Sequence, residues 1–215
     1  MHTIHTVTVQ DSDMEVFLFQ PEGPGPHPGI ILAQHIPVGH TGVENDVFTL
    51  KTAARYAENG YAVAVPFIFH WWPKEAGIEI KREEFRDDWT ALDLRATFDL
   101  LADQDNVDSA RIAIIGHCWG GRVSWLGACH LPELAACAMF YGGRVKLPLG
   151  PDTPPAIDLA GDIQCPVAGF FGSEDQNPSP EDVNDMSAAL TEAGVDHEFH
   201  SYDGAGHGFQ MFDNP

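Results

Sequence analysis

Six strand candidates recur along the chain, and helical patterns separate most of them. They span residues 29–34, 61–67, 111–117, 134–142, 166–172 and 197–202. Most are short and continuously apolar, which is typical of strands buried on both faces. Strands that alternate with helices predict a mostly parallel central sheet, with right-handed crossovers and helices on both of its faces. We therefore predict the α/β class.

Helix candidates and turn signals support this order of elements. Patterns near helical spacing lie at 44–59, at about 80–103, directly after 118, and at about 180–193. Gly60 suits the position after a helix, while Ser179 can cap the last helix and Pro180 can begin it. The first 20 residues alternate polar and apolar side chains, which predicts an antiparallel strand pair at one edge of the sheet.

Length and charge limit the class of protein. The 215 residues fit one domain, 1–215, and 44% of them are hydrophobic, enough for one substantial core. Acidic residues outnumber basic ones by 32 to 11, for a formal charge of −21. Such a field repels phosphate backbones and anionic membranes, so we expect neither nucleic acid nor a membrane as a partner. The N-terminal segment lacks the features of a signal peptide, and we expect a cytoplasmic protein.

One cysteine stands in an unusual setting. Cys118 lies in "GHCWGG", between the strand candidate 111–117 and a helix candidate. This is the G-x-nucleophile-x-G pattern of the α/β-hydrolase nucleophile elbow, where flanking glycines allow a tight turn and the following helix dipole favours a thiolate. The remaining cysteines sit in apolar surroundings without disulfide or zinc spacing, and we predict that they are buried: Cys129, Cys137 and Cys165.

Two further residues complete a triad pattern. Asp175 follows the strand candidate 166–172, and His207 follows the last strand candidate. The order nucleophile, acid, histidine is that of α/β-hydrolases, and all three would lie at carboxyl ends of strands, where ligands bind in open α/β sheets. Asp203 and Glu174 are alternative partners for the histidine, although the loop position favours Asp175.

The same segments resemble the dienelactone hydrolase family over nearly the whole chain. "GHCWGGR" is similar to that family's nucleophile segment, "GSEDQNP" to its acid loop, "YDGAGHGF" to its histidine loop, and "PGIILAQHI" to the start of its oxyanion loop. The resemblance implies an α/β-hydrolase fold and cofactor-free hydrolysis of esters or lactones. It also implies Cys118 as nucleophile, His207 as base and Asp175 as its orienting group, with the backbone N–H groups of Trp119 and Ile36 as the oxyanion hole.

The chain departs from the family where substrate would bind. His35 stands where the family has an activating glutamate, and the two arginines that hold a substrate carboxylate are missing from the loop at 68–72 and from position 211. A carboxylate without a bidentate cation would lose solvation without compensation. We therefore expect a neutral, apolar or aryl ester, contacted by His35, His70, Trp71, Trp72 and Met211. The two tryptophans could instead pack within the loop or in a homodimer contact.

The expected chemistry is covalent, through an acyl-thioester on Cys118, and could extend to activated phosphotriesters. One rival is a catalytically silent binding protein with the α/β-hydrolase fold. The other is a metal hydrolase, suggested by eleven histidines; they form no H-x-x-x-H or H-E-x-x-H helix, so we expect no metal.

Overall fold

A computed structural model of the protein describes residues 2–35, 42–77, 79 and 83–210. In this part of the chain eight strands form one sheet: β1 (His2–Val9), β2 (Ser12–Phe19), β3 (His27–Ala33), β4 (Ala62–Pro66), β5 (Val107–His117), β6 (Ala136–Phe140), β7 (Val167–Gly172) and β8 (His197–Tyr202). The α-helices with described bounds are α1 (Val47–Glu58), α2 (Asp87–Ala102), α3 (Trp119–His130) and α4 (Pro180–Ala193).

The strand order is β1-β2-β4-β3-β5-β6-β7-β8. The pairs β1/β2 and β2/β4 are antiparallel, and every pair from β4/β3 onward is parallel. This confirms the predicted α/β fold with an antiparallel pair at one edge. It also places the carboxyl ends of β3, β5, β6, β7 and β8 along a single edge of the sheet.

Helices cover the two faces of the sheet unequally. Gly127 of α3 faces Ile114 of β5 and Leu94 of α2, so α2 and α3 pack on one face. His117 lies three residues along the same strand and therefore on the opposite face, where its ring contacts Phe48 of α1. The 3-10 segment Ala156–Asp162, which sequence patterns did not predict, connects β6 to β7 and packs between α3 and α4.

Element bounds follow local chemistry. The last helix runs over the predicted residues, with a capping box between Ser179 and Asp182 and with Pro180 in its first turn. Gly60, just beyond α1, has φ of 93°, a conformation that favours glycine. The helix predicted from residue 80 has its described start at Asp87, and residues 80–82 lie outside the described residues.

A buried ion pair joins two of these helices. Arg122 of α3 is fully buried and makes a two-pronged ion pair with Asp87, the first residue of α2. Its guanidinium also donates to the carbonyl oxygens of Arg144 and Leu147. Because α3 begins directly after Cys118, the ion pair holds the helix that follows this cysteine against α2, and the two carbonyl contacts hold it against the loop that follows β6.

Candidate active site

The turn at Cys118 has the strained geometry that its flanking glycines predict. Cys118 has φ of 56°, a left-handed conformation uncommon for a residue with a side chain. A Cβ at Gly116 would collide with the backbone oxygen of Gly120, and one at Gly120 with that of Ala33. Only glycine fits at these two positions, so the chain can turn sharply between β5 and α3. The Cys118 side chain is partly exposed, whereas the other three cysteines are buried.

Three side chains form a continuous hydrogen-bonded chain at the carboxyl edge of the sheet. His207 Nε2 lies 3.1 Å from Cys118 Sγ, and His207 Nδ1 lies 2.8 Å from Asp175 Oδ2. A carboxylate only accepts hydrogen bonds, so Nδ1 carries the proton and Nε2 faces the sulfur. The geometry thus selects Asp175 over the alternatives Glu174 and Asp203.

The loops that carry the acid and the histidine are joined to each other. The Glu174 N–H donates to the Ala205 carbonyl at 2.9 Å, and the Gly204 N–H donates to the Ser173 hydroxyl at 2.9 Å. Asp175 is buried, and its second carboxylate oxygen accepts from the Asn177 N–H at 2.9 Å. Backbone contacts therefore hold Asp175 in place, in addition to its hydrogen bond with His207.

The electrostatics of the histidine follow from its two partners. The hydrogen bond with Cys118 and, after it, the contact with Asp175 raise the pKa of His207 to about 9, against the opposing effect of burial. The imidazolium form therefore persists well above neutral pH, where it can donate a proton. His117 behaves differently: burial lowers its pKa to about 4, and its ring stacks on Phe140.

Of the two residues predicted to donate to the oxyanion, the structure describes Trp119 and not Ile36. Trp119 is the first residue of α3, where backbone N–H groups have no partner within the helix. Among the described residues its N–H makes no backbone hydrogen bond, and its role as an oxyanion donor stays a prediction. Ile36, the second predicted donor, lies outside the described residues.

His35 points toward the start of α1. Its Nδ1 lies 3.1 Å from the Thr49 hydroxyl and 3.1 Å from Oδ2 of Asp46, the N-cap residue of that helix. Within the described part of the chain, the hydrogen-bond partner of Cys118 Sγ is His207. The thiol contact that the family glutamate would provide is thus not seen for His35, and its contact with substrate stays a prediction.

Two of the residues predicted to contact substrate, His70 and Trp71, are held by hydrogen bonds within the protein. His70 is bridged between Ser12 Oγ at 2.8 Å and Asp93 Oδ1 at 2.9 Å, with its side chain 2% exposed. Trp71 donates to the same Asp93 and stacks on Trp89. These contacts give both rings a structural role, and their contact with substrate stays a prediction.

Trp72 and Met211 are the other two residues predicted to line the pocket. Trp72 is partly exposed and donates its indole N–H to Glu84 at 2.9 Å. Met211 lies outside the described residues. Beside the triad, an open depression of about 380 Å³ is lined by residues 174–177 and His207.

Tyr141 is a site residue that sequence reasoning missed. It follows β6, the strand next to the one that leads to Cys118, and its ring makes a T-shaped contact with the His207 ring at 5.2 Å between centroids. The signal available in the sequence was its place at the end of a central strand. No motif marks it, however, and only the sheet order brings it to the histidine.

Among the residues that the structure describes, no group of three His, Cys, Asp or Glu side chains is arranged to hold a metal ion. Within the same residues, no helix has both the length and the apolar character needed to cross a membrane.

The fold and this site define a class: an α/β-hydrolase fold with a cysteine, a histidine and an aspartate hydrogen-bonded in a row at the carboxyl edge of its sheet. Residues 14–215 match the sequence model of the dienelactone hydrolase family. The chain belongs to the dienelactone hydrolase family.

Relatives and solved structures agree with this assignment. The chain is 31% identical to a Yersinia pestis protein provisionally named carboxymethylenebutenolidase, over 97% of this chain and 80% of that protein. It is 30% identical to a Synechocystis protein with the same provisional name, over 96% and 85%. A Klebsiella pneumoniae structure described as a provisional dienelactone hydrolase superposes with a TM-score of 0.82 at 28% identity, covering 97% of this chain and 88% of that one.

A more distant structure shares the fold. It is a dienelactone hydrolase-like promiscuous phosphotriesterase from metagenomic libraries. The TM-score is 0.79 at 21% identity, with 98% of this chain and 84% of the other covered.

Proposed function

We propose that this protein hydrolyses carboxylic esters or lactones through a covalent thioester on Cys118. The observation that carries the proposal is the hydrogen-bonded chain from Cys118 through His207 to Asp175. Family membership supports the reaction class, because this protein belongs to the dienelactone hydrolases. What we propose beyond family membership is that Cys118 is the nucleophile and that His207 and Asp175 assist it.

The reaction proceeds in two halves. His207 takes the proton of Cys118, the thiolate attacks the substrate carbonyl, and the resulting oxyanion is held by the Trp119 N–H and a second donor from the oxyanion loop. The C–O bond then breaks, the leaving oxygen takes the proton from His207, and a thioester remains. Water activated by His207 completes hydrolysis and restores the thiol. One oxyanion donor is worth about 10²–10³ in kcat in well-studied hydrolases.

The proposed substrates are neutral, apolar or aryl esters and lactones. The family's substrate-clamp arginines are absent at 68–72 and at 211, and a field of −21 repels anions over distances beyond direct contact. The aromatic side chains near the triad, such as Tyr141 and Phe209, suit an aryl or alkyl group better than a charged one.

The decisive experiment compares wild type with Cys118→Ala on a panel of neutral p-nitrophenyl esters. We expect turnover by the wild type and none above buffer by the variant. Cys165→Ala is the matched control, because Cys165 is buried and burial raises the pKa of its thiol to about 11. Equal activity of Cys118→Ala and wild type would contradict the proposal, and inactivity of all three would favour a silent binding protein.

Activated phosphotriesters are a second candidate substrate class. The observation in its favour is the shared fold with the promiscuous phosphotriesterase. The same thiolate would attack phosphorus, the leaving phenoxide would depart, and the Cys118–phosphoryl bond would then have to be hydrolysed. An aryl phosphotriester in the same panel tests this: a burst of one phenol per enzyme without turnover would show that the adduct forms but is not released.

A further inference from the structure

Tyr141 holds a backbone conformation that its side chain makes costly. Its φ is 41°, in the left-handed region, although the residue is not glycine. Such strain persists only where the surroundings enforce it, and it clusters at functional sites. Here the enforcement is visible: the Tyr141 N–H donates to the Phe170 carbonyl at 2.8 Å, and the next residue, Gly142, packs directly against Gly121 of the nucleophile's helix.

The strained turn places the Tyr141 ring against His207. Tyr141 is 2% exposed, and its ring contacts both His207, at 5.2 Å between centroids, and Phe209, at 5.1 Å. Burial, and secondarily the charge of a Cys118 thiolate, raise the pKa of Tyr141, so the phenol keeps its proton at any working pH. A group that is always protonated can serve as a hydrogen-bond donor and not as a base.

The phenol has no partner that would occupy it. Among the residues that the structure describes, none makes a hydrogen bond to the Tyr141 hydroxyl, whereas the buried Trp125 donates its indole N–H to the Ala156 carbonyl. Although the residue as a whole is 2% exposed, its hydroxyl is not among the fully buried side-chain atoms that lack a partner, so the oxygen itself reaches solvent. The Tyr141 hydroxyl is therefore free to donate a hydrogen bond to an acceptor on the substrate. Its ring lies beside His207, and the charge of Cys118 acts on it.

We propose that Tyr141 is a further catalytic residue, whose hydroxyl donates a hydrogen bond to the leaving oxygen of the ester. The inference rests on the proposed function. Tyr141 packs against His207, which delivers the proton to that oxygen, whereas the oxyanion is held at Trp119, at the start of α3. When the tetrahedral intermediate collapses, the C–O electron pair moves to the leaving oxygen and the proton comes from His207 Nε2. Tyr141 keeps its own proton and stabilises the developing charge.

This role has a signature that a structural role lacks. A leaving group that is already a stable anion, such as p-nitrophenolate, needs little help, whereas phenolate needs much more. Tyr141→Phe removes only the hydroxyl, so it should slow phenyl acetate by about 10–100-fold and p-nitrophenyl acetate by less than about threefold. A plot of log kcat/KM against leaving-group pKa over a series of aryl acetates should become steeper in the variant.

Tyr202→Phe is the matched control. Tyr202 also contacts the Phe209 ring, at 5.1 Å, but is 44% exposed at the end of β8, so its slope should equal that of wild type. The slope is a ratio within one preparation and does not depend on the fraction of folded enzyme. An unchanged slope for Tyr141→Phe, with either uniform loss or no loss of rate, would overturn the inference. The proposed function fails separately, through activity of Cys118→Ala.

Discussion

At the scale of single residues, the site depends on how two neighbours set the proton affinity of His207. Cys118 and Asp175 both raise its pKa, to about 9. The histidine's charged form therefore contributes stability that is fully present below the ordinary histidine pKa of about 6.5 and is lost as the pH rises toward 9. In the proposed mechanism the same titration governs catalysis, since only the imidazolium can protonate the leaving oxygen.

This predicts a descending limb in the pH–rate profile. We expect kcat/KM for phenyl acetate to fall as the pH rises through about 9, once the background with Cys118→Ala has been subtracted. Asp175→Asn removes one of the charges that raise the pKa, so its limb should move to lower pH while the overall rate falls. A limb at the same pH in both proteins would show that Asp175 does not set this titration.

At the scale of elements, the buried pair between Arg122 and Asp87 connects α3, the helix that follows Cys118, to α2. Removing one partner of a buried pair leaves an uncompensated charge and typically costs about 3–5 kcal/mol, whereas replacing both with apolar residues is often neutral. We expect Arg122→Met to lower the free energy of unfolding in urea by about this amount. Arg122→Met with Asp87→Leu should recover part of the loss, even though the Arg144 and Leu147 carbonyls stay unpaired in both variants.

The difference in stability between the single and the double variant separates the effect of the ion pair from the other contacts of Arg122. If the double variant is no more stable than Arg122→Met alone, the loss comes from packing or from the two carbonyl contacts, and the ion pair is not the connecting element.

Sequence patterns predicted the elements well and the contacts between them less well. The last helix and the elbow depend on local signals, such as the Ser179 cap and the glycines around Cys118, and those signals lie within a few residues of the structure they determine. The bridge from Ser12 to His70 joins residues 58 positions apart, and the approach of Tyr141 to His207 depends on strand order. Neither has a local pattern, so neither could be predicted before the sheet was known.

At the scale of the whole molecule, charge is the dominant feature. The chain carries −21, and many of its described cations are already paired with carboxylates: Lys74, Arg86, Arg95, Arg111, Arg122 and Lys146. The remaining acidic side chains therefore repel one another with few cations between them. Net charge far from zero destabilises a compact state through this repulsion, and dissolved salt screens it.

We therefore expect the melting temperature at pH 7.5 to rise with ionic strength. At about 10 mM salt the screening length is about 30 Å, close to the size of the molecule, and at about 0.1 M it falls to about 10 Å. A gain of about 1 kcal/mol would shift Tm by about 2–4 °C for a chain of this size.

Differential scanning calorimetry in NaCl, repeated in choline chloride, separates screening from binding of a particular cation, because screening gives the same rise in both salts. A second series near pH 5, where carboxylates begin to take up protons, should show a smaller rise. A melting temperature that is independent of salt at pH 7.5, or that falls, would mean that attractive ion pairs such as Arg95 with Glu133 outweigh the net repulsion.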